Sequence, residues 1–311
     1  MSQYGKRINQ RGGEEFAAQT RARLETISTH LETAPRSGKL KGKVCVVTGA
    51  GSLKGIGRAT ALLFAHEGAA HLYLLDLVPH NLPELKETIQ KKYPGVKVTT
   101  LQADAADETA TSSVCEQALK DEGRLDVFFA NAGMASASLL HDITSEEFMQ
   151  SVRVNTLSAF LAVKHASLAM MKANPERGKP YGGGSIVLVA SVAGIRSGAG
   201  PVHYSASKAA VNSIAQTSSY QLARTDVRVN SLCPGIIETS MTQIQFDYAR
   251  GRGTEHKIGQ LNPLGRYGIS PEIANAVLFL ASDDSSYING QNICIDGGLS
   301  ASHPVIPGKF T

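Results

Sequence analysis

The sequence predicts a doubly wound α/β fold, a mostly parallel sheet of about seven strands with helices on both faces. Three observations carry this. From residue 43 onward, apolar runs of strand length alternate with longer segments of helical character. The strand-like runs have the length and the β-branched or aromatic content of strands. The polar and glycine residues able to do chemistry fall just after those runs, where such a sheet places its ligands.

Taken in order, residues 1–40 stand apart. They are polar and charged, with a Gly12-Gly13 pair and Pro35, and within them Phe16, Leu24, Ile27 and Leu31 recur near helical spacing. So thin a stripe suits a short docking helix or a partly disordered arm. The predicted strands are VCVVT (44–48), LYLLD (72–76), VKVTTL (96–101), LDVFFA (125–130), SIVLVA (185–190), VRVNSL (227–232) and QNICID (291–296). Helices are predicted between them at 57–67, 107–122, 151–173, 203–224 and 271–282. This alternation gives βαβ units with right-handed crossovers. The chain therefore divides into an extension at 1–40, one α/β domain at 41–300 and a tail at 301–311.

Composition narrows the function classes. At 311 residues and 42% hydrophobic content, the chain can bury one large core. The net charge of +4 is interspersed, without a basic block, so no nucleic-acid partner is expected. Cys45, Cys115, Cys233 and Cys294 are far apart in sequence, which suits free thiols in a reducing compartment better than disulfides or a metal site. No apolar run has membrane-span length and the first thirty residues show no secretory pattern, so a cytoplasmic protein without membrane attachment is expected.

The residues that follow the strands share one rim: Thr48–Gly57, Asp76, Asp104, Asn131-Ala132-Gly133, Ser191 and Pro234-Gly235. The loop TGAGSLKGIG does not fit G-x-G-x-x-G, but its glycines would let backbone approach a pyrophosphate at the N-terminus of the next helix. Asp76, ending the next strand, can accept both hydroxyls of an adenosine ribose and would repel a 2'-phosphate. Tyr204 and Lys208 are four apart in a predicted helix and share a face. A Lys ammonium near 4 Å, at an effective dielectric of about 20, would favour phenolate by roughly 4 kcal/mol, or about three pKa units. That would suit Tyr204 to acid–base work.

Together, TGAGSLKGIG, Asp76, Asp104, NAG at 131–133, Asn155, Ser191, YSASK at 204–208, PG at 234–235 and the terminal IDGG resemble the short-chain dehydrogenase/reductase family. The resemblance spans about residues 41–300 and implies a Rossmann-like catalytic domain with an NAD or NADP cofactor and a small carbonyl or alcohol substrate. It implies that Tyr204 donates or removes the proton, Ser191 polarises the substrate oxygen and Lys208 holds the nicotinamide ribose and depresses the Tyr204 pKa. Asn155 would position a water that links Lys208 to solvent. Cofactor contacts are implied for Gly49, Ser52, Lys54, Gly55, Ile56 and Gly57, for Asp76 and Leu77, for Asp104 and Ala105, and for Asn131, Ala132 and Gly133. Pro234, Gly235, Ile237 and Thr239 would cup the nicotinamide. A homotetramer or homodimer built on the segments 151–173 and 203–224 is implied as well.

Two departures qualify the resemblance. The loop has two residues more than the family's common T-G-x3-G-x-G, and these should bulge outward among Ala50–Lys54 near the adenosine ribose. The enoyl-reductase branch shares that longer loop, which makes reduction of a C=C bond an alternative. That branch, however, places its Lys seven residues after its Tyr, whereas four separate them here. Lys54 argues for NADP and Asp76 for NAD; an acidic group facing a 2'-phosphate is the costlier conflict, so NAD is preferred. A catalytically silent dinucleotide-binding protein is the competing class, but it would not need the full set of Asn155, Ser191, Tyr204 and Lys208. The segment 238–267 lies where a substrate lid is expected, with Met241, Ile244, Phe246 and Tyr248 followed by Arg250, Arg252, His256 and Lys257. Met134, Ile195 and Arg196 are further candidates for the pocket.

Overall fold

A computed structural model describes residues 13–302. The first twelve residues and most of the predicted tail lie outside that range. The strands are β1 (Val44–Thr48), β2 (His71–Asp76), β3 (Lys97–Gln102), β4 (Val127–Ala130), β5 (Gly184–Val189), β6 (Val227–Pro234), β7 (Ile237–Glu238), β8 (Gly268–Ile269) and β9 (Asn292–Ile295). The helices are α1 (Gly13–Thr33), α2 (Ile56–His66), α3 (Leu82–Lys92), α4 (Glu108–Glu122), α5 (Ser145–Ser151), α6 (Ser158–Met170), α7 (Val202–Gln221), α8 (Gln243–Gly251) and α9 (Ser270–Ala281).

Among the described residues, seven strands form one parallel sheet in the order β3-β2-β1-β4-β5-β6-β9. The chain winds outward from β1 to β3, then returns to the other side of β1 with β4. The order therefore reverses between β1 and β4, where ligands of such sheets bind beyond the carboxyl ends of the strands. Successive residues of a strand face opposite sides. Accordingly Cys45 and Val47 join the core that holds Phe64 of α2 and Ile273 and Val277 of α9. Val44 and Val46 join the other core, with Val114 of α4, Ala166 of α6 and Val211 of α7.

All seven predicted sheet strands are present, with ends shifted by up to two residues. The predicted helix at 151–173 is instead interrupted: α5 ends at Ser151, a π-helical turn covers Val152–Leu157, and α6 runs to Met170. The wider turn carries Asn155. The helices α3, α5 and α8 were not among those predicted. At the N-terminus, α1 is a 21-residue helix. Its Leu24 is buried with Phe246 and Tyr267, and Leu31 packs on the main core. Leu40, the last residue of the predicted extension, is fully buried in that core, because the segment after α1 runs along the end of α2, where Arg36 donates to the His66 carbonyl and the Leu40 N–H to the Glu67 carbonyl.

Candidate active site

The Gly-rich loop leaves β1 at Thr48 and bends at Gly49, whose φ of +68° favours glycine. Helix α2 starts from Gly55, which caps it without a side-chain bond, and its first turn holds no acidic residue. Its first N–H groups are thus left to an anion. The two extra residues do not bulge freely. The Gly51 N–H donates to Asp76 Oδ2 at 2.8 Å, the Val78 N–H donates to Asp76 Oδ1 at 3.0 Å, and Asn81 Nδ2 donates to the Gly51 carbonyl. Asp76 therefore holds the lengthened loop as well as facing the cavity.

At the other end, Ser191 follows β5 and caps a short 3-10 turn at Val192–Gly194, its Oγ accepting the Ala193 N–H at 3.1 Å. Gly194 lets that turn lie against α7, since a Cβ there would sit 2.6 Å from the Lys208 carbonyl carbon. Helix α7 presents Tyr204 and Lys208 one turn apart. Lys208 is 4% exposed, and its Nζ donates to the Val189 carbonyl at 2.8 Å. Gly133 makes room for it, because a Cβ there would lie 3.3 Å from the Lys208 Nζ.

Burial sets the proton energetics of this pair. Burial pushes the Tyr204 phenol above its usual value, and a hydrogen bond with Ser191 offsets only part of that. Burial also lowers Lys208 to about 8. The Lys208 ammonium lies 5.8 Å from the Tyr204 ring centroid. Desolvation outweighs the pairing. Asn155 is likewise occupied: its Oδ1 accepts the Met134 N–H at 2.8 Å and its Nδ2 donates to the Met134 carbonyl and Ser207 Oγ. It fastens the loop after β4.

These ends meet in one cavity of about 710 Å³ along the carboxyl rim. Of the predicted residues, Gly49, Ser52, Gly55, Ile56, Asp76, Leu77, Asp104, Ala105, Asn131, Ala132, Gly133, Ser191, Tyr204, Lys208, Pro234, Gly235, Ile237 and Thr239 line it. Lys54 does not; its Nζ reaches Glu238 at 3.5 Å and Gln243 at 3.3 Å, toward the lid. Gly57 lies beneath the loop, where a Cβ would come 2.3 Å from the Gly49 carbonyl oxygen. Asn131, besides lining the cavity, donates through Nδ2 to the Thr48 and Gly49 carbonyls.

The lid differs from expectation in detail. Met241 lines the cavity, as does Met134, but Phe246 is fully buried against Leu24 and Tyr267. Ile244 and Tyr248 are exposed, and Ile195 and Arg196 are not in the wall. Arg196 instead donates to the Leu299 and Ser302 carbonyls. Arg250 pairs with Glu238 and Glu255, and Arg252 donates to the Tyr248 hydroxyl. Arg153 was missed: it lines the cavity and donates to Asp104 Oδ2 at 2.5 Å. Burial raises the Asp104 pKa, but the bonds from Arg153 and the Ala106 N–H outweigh it and hold the carboxyl below its usual range. A basic residue two before Asn155 was the available signal.

Residues 49–300 match the family model described as enoyl-(acyl carrier protein) reductase. The 3-oxoacyl-(acyl-carrier-protein) reductase of Thermotoga maritima is 40% identical over 261 residues, covering 84% of this chain and 99% of that protein. The chain belongs to the short-chain dehydrogenase/reductase family. Within this family, levodione reductase of Leifsonia aquatica is 34% identical over 275 residues, covering 87% and 99% of the two chains. A crystal structure of levodione reductase superposes with a TM-score of 0.76 at 35% identity, covering 85% of this chain and all of that one. The chain is thus an NAD(P)-dependent oxidoreductase of carbonyls and alcohols.

Proposed function

We propose that the chain reduces a small, moderately apolar ketone with NADH, or runs the reverse oxidation, using Tyr204 as proton donor and acceptor. The observation that carries this is the convergence of Ser191, Tyr204 and Lys208 on the same cavity as the open N-terminus of α2. The residues present fit a nicotinamide dinucleotide: unpaired helix N–H groups for the diphosphate, Asp76 for a ribose, and Lys208 beside the cleft that Gly133 leaves open. When bound, the nicotinamide supplies or accepts the hydride. Ser191 hydrogen-bonds the substrate oxygen and orients it toward the phenol. Tyr204, a phenol whose pKa burial raises, gives its proton to that oxygen as charge develops on it. Lys208 and the Val189 carbonyl fix the far side of the site.

The side chains of Met134 and Met241 suit an apolar substrate body, in keeping with relatives named for a 3-oxoacyl thioester and for levodione. Reduction of C=C bonds, which the family model's description names, is disfavoured by the four-residue spacing of Tyr204 and Lys208 and by Ser191 beside them. NAD is preferred over NADP because Asp76 faces the cavity while Lys54 is drawn to Glu238. Exposed apolar side chains on α5, α6 and α7, including Met149, Phe160, Leu168 and Tyr220, support a homodimer or homotetramer. The free thiols Cys45, Cys115 and Cys233 are buried, which supports a reducing, cytoplasmic setting.

Absorbance at 340 nm with both cofactors and a panel of ketones and secondary alcohols tests this. Turnover with NADH that vanishes in Tyr204→Phe is expected. NADH binding with no turnover anywhere in the panel would leave the silent-binder class standing.

A further inference from the structure

His203 immediately precedes Tyr204 and is fully buried. It is a titratable side chain in the site's own helix that the mechanism above does not use. Its Nε2 lies 2.5 Å from Ser136 Oγ and 3.9 Å from Glu147 Oε1, while its Nδ1 is buried without a hydrogen-bond partner among the described residues. The same Glu147 oxygen accepts from Ser138 Oγ at 2.5 Å. Hydrogen bonds from Ser138 and then Ser136 hold the Glu147 carboxyl below its usual range. One imidazole on α7 thus meets a small polar cluster on the segment from β4 to the first turn of α5.

That segment lines the cavity through Met134 and Ala135. It has little to hold it. Among the described residues, one backbone–backbone hydrogen bond closes within 134–143, from the Asp142 N–H to the Leu139 carbonyl. Side chains supply the remaining anchors: Asn155 grips Met134 at both backbone atoms, and His203 meets Ser136 two residues on. Ala135 is bracketed between them. The tautomer follows from the partners. A proton on Nδ1 would be buried with nothing to receive it, whereas a proton on Nε2 has Ser136 Oγ, which then donates onward to Glu147.

We propose that His203 is a positioning residue, donating from Nε2 to Ser136 Oγ so that the substrate-facing wall at 134–138 is set from the same helix that carries Tyr204. Helix α7 then fixes both the proton donor and the wall against which the substrate rests. The consequence for chemistry depends on the reading of Tyr204 as proton donor, but the anchoring does not.

The test uses the full chain bound to NADH. Chymotrypsin cleavage at Leu139–Leu140, both well exposed, reports release of the wall. His203→Leu keeps the volume without a donor, Ser136→Ala removes the partner, and His203→Gln returns a donor near the Nε2 position. Cleavage about tenfold faster in His203→Leu and in Ser136→Ala is expected, the effect of one lost hydrogen bond. The double variant should be no faster than either, and His203→Gln should return toward wild type. The ¹⁵N signals of His203 should show a protonated Nε2 in wild type and shift in Ser136→Ala. Wild-type cleavage in Ser136→Ala, additive effects in the double variant, no rescue by Gln, or a protonated Nδ1 would overturn the proposal. Should His203→Leu fail to fold, Ser136→Ala and the nitrogen signals still decide it. Loss of turnover in Tyr204→Phe tests the functional reading separately and leaves cleavage unchanged.

Discussion

Gly57→Ala puts the cofactor cradle to a quantitative test, because Gly57 touches nothing in the cavity yet sets the height of the loop above α2. The added methyl would lie 2.3 Å from the Gly49 carbonyl oxygen, 2.9 Å from its carbon and 2.8 Å from Asn131 Nδ2. Ordinary contact begins near 3.4 Å, so the loop must lift by about 1 Å, a clash with backbone that no rotamer relieves. Asn131, which ties the loop to β4 through the Thr48 and Gly49 carbonyls, must move with it. A displacement of that size in a positioned site costs on the order of a hundredfold. Stability changes less, since overpacking of about 1–3 kcal/mol is offset by about 1 kcal/mol of helix propensity gained over glycine. Calorimetric titration with NADH should show affinity about a hundredfold weaker, with a thermal midpoint lowered by only a few degrees. Gly95→Ala, where the new methyl meets open space, is the control. NADH affinity within twofold of wild type in Gly57→Ala would refute the argument that this glycine shapes the cradle.

Five further outcomes are expected. Tyr204→Phe should lower kcat by about 10²–10⁴-fold while NADH binding, followed by fluorescence, stays as in wild type. Lys208, lowered to about 8 by burial, opposes folding while protonated. The unfolded chain binds more protons between pH 8 and the ordinary lysine value, so this penalty is full below about pH 8 and is relieved as pH rises through that window. Lys208→Met should therefore raise the thermal midpoint measured at pH 7 and abolish turnover, and a lowered midpoint would contradict the assignment of a destabilising ammonium. Leu24→Ala should cost about 2 kcal/mol by denaturant unfolding, at the low end for such truncations because its cluster with Phe246 and Tyr267 is small. Removing residues 1–33 should leave NADH affinity intact and lower stability or change assembly, whereas lost NADH binding would mean that α1 shapes the cradle itself. Finally, KM for NADP should exceed that for NAD, and Asp76→Ser should narrow the gap while weakening both, since Asp76 also holds Gly51 and Val78.

What the sequence determined by itself was the order of the sheet elements and the rim on which chemistry gathers. Apolar, β-branched runs of strand length mark the strands, and a parallel sheet delivers the residue after each run to one edge, so position in sequence reports position in space. The local spacing of Tyr204 and Lys208 was legible for the same reason, one helical turn being a local fact. Tertiary structure decided what depends on distance and burial across elements. It buried Tyr204 and Lys208 so that desolvation is the largest influence on both, turned Lys54 from the ribose end toward Glu238, and buried Phe246 under α1 instead of in the substrate wall. It brought Arg153 onto Asp104. Lys54 and Glu238, Phe246 and Leu24, and Arg153 and Asp104 are far apart in sequence, and each contact is set by how separately formed elements pack, which composition and periodicity do not encode.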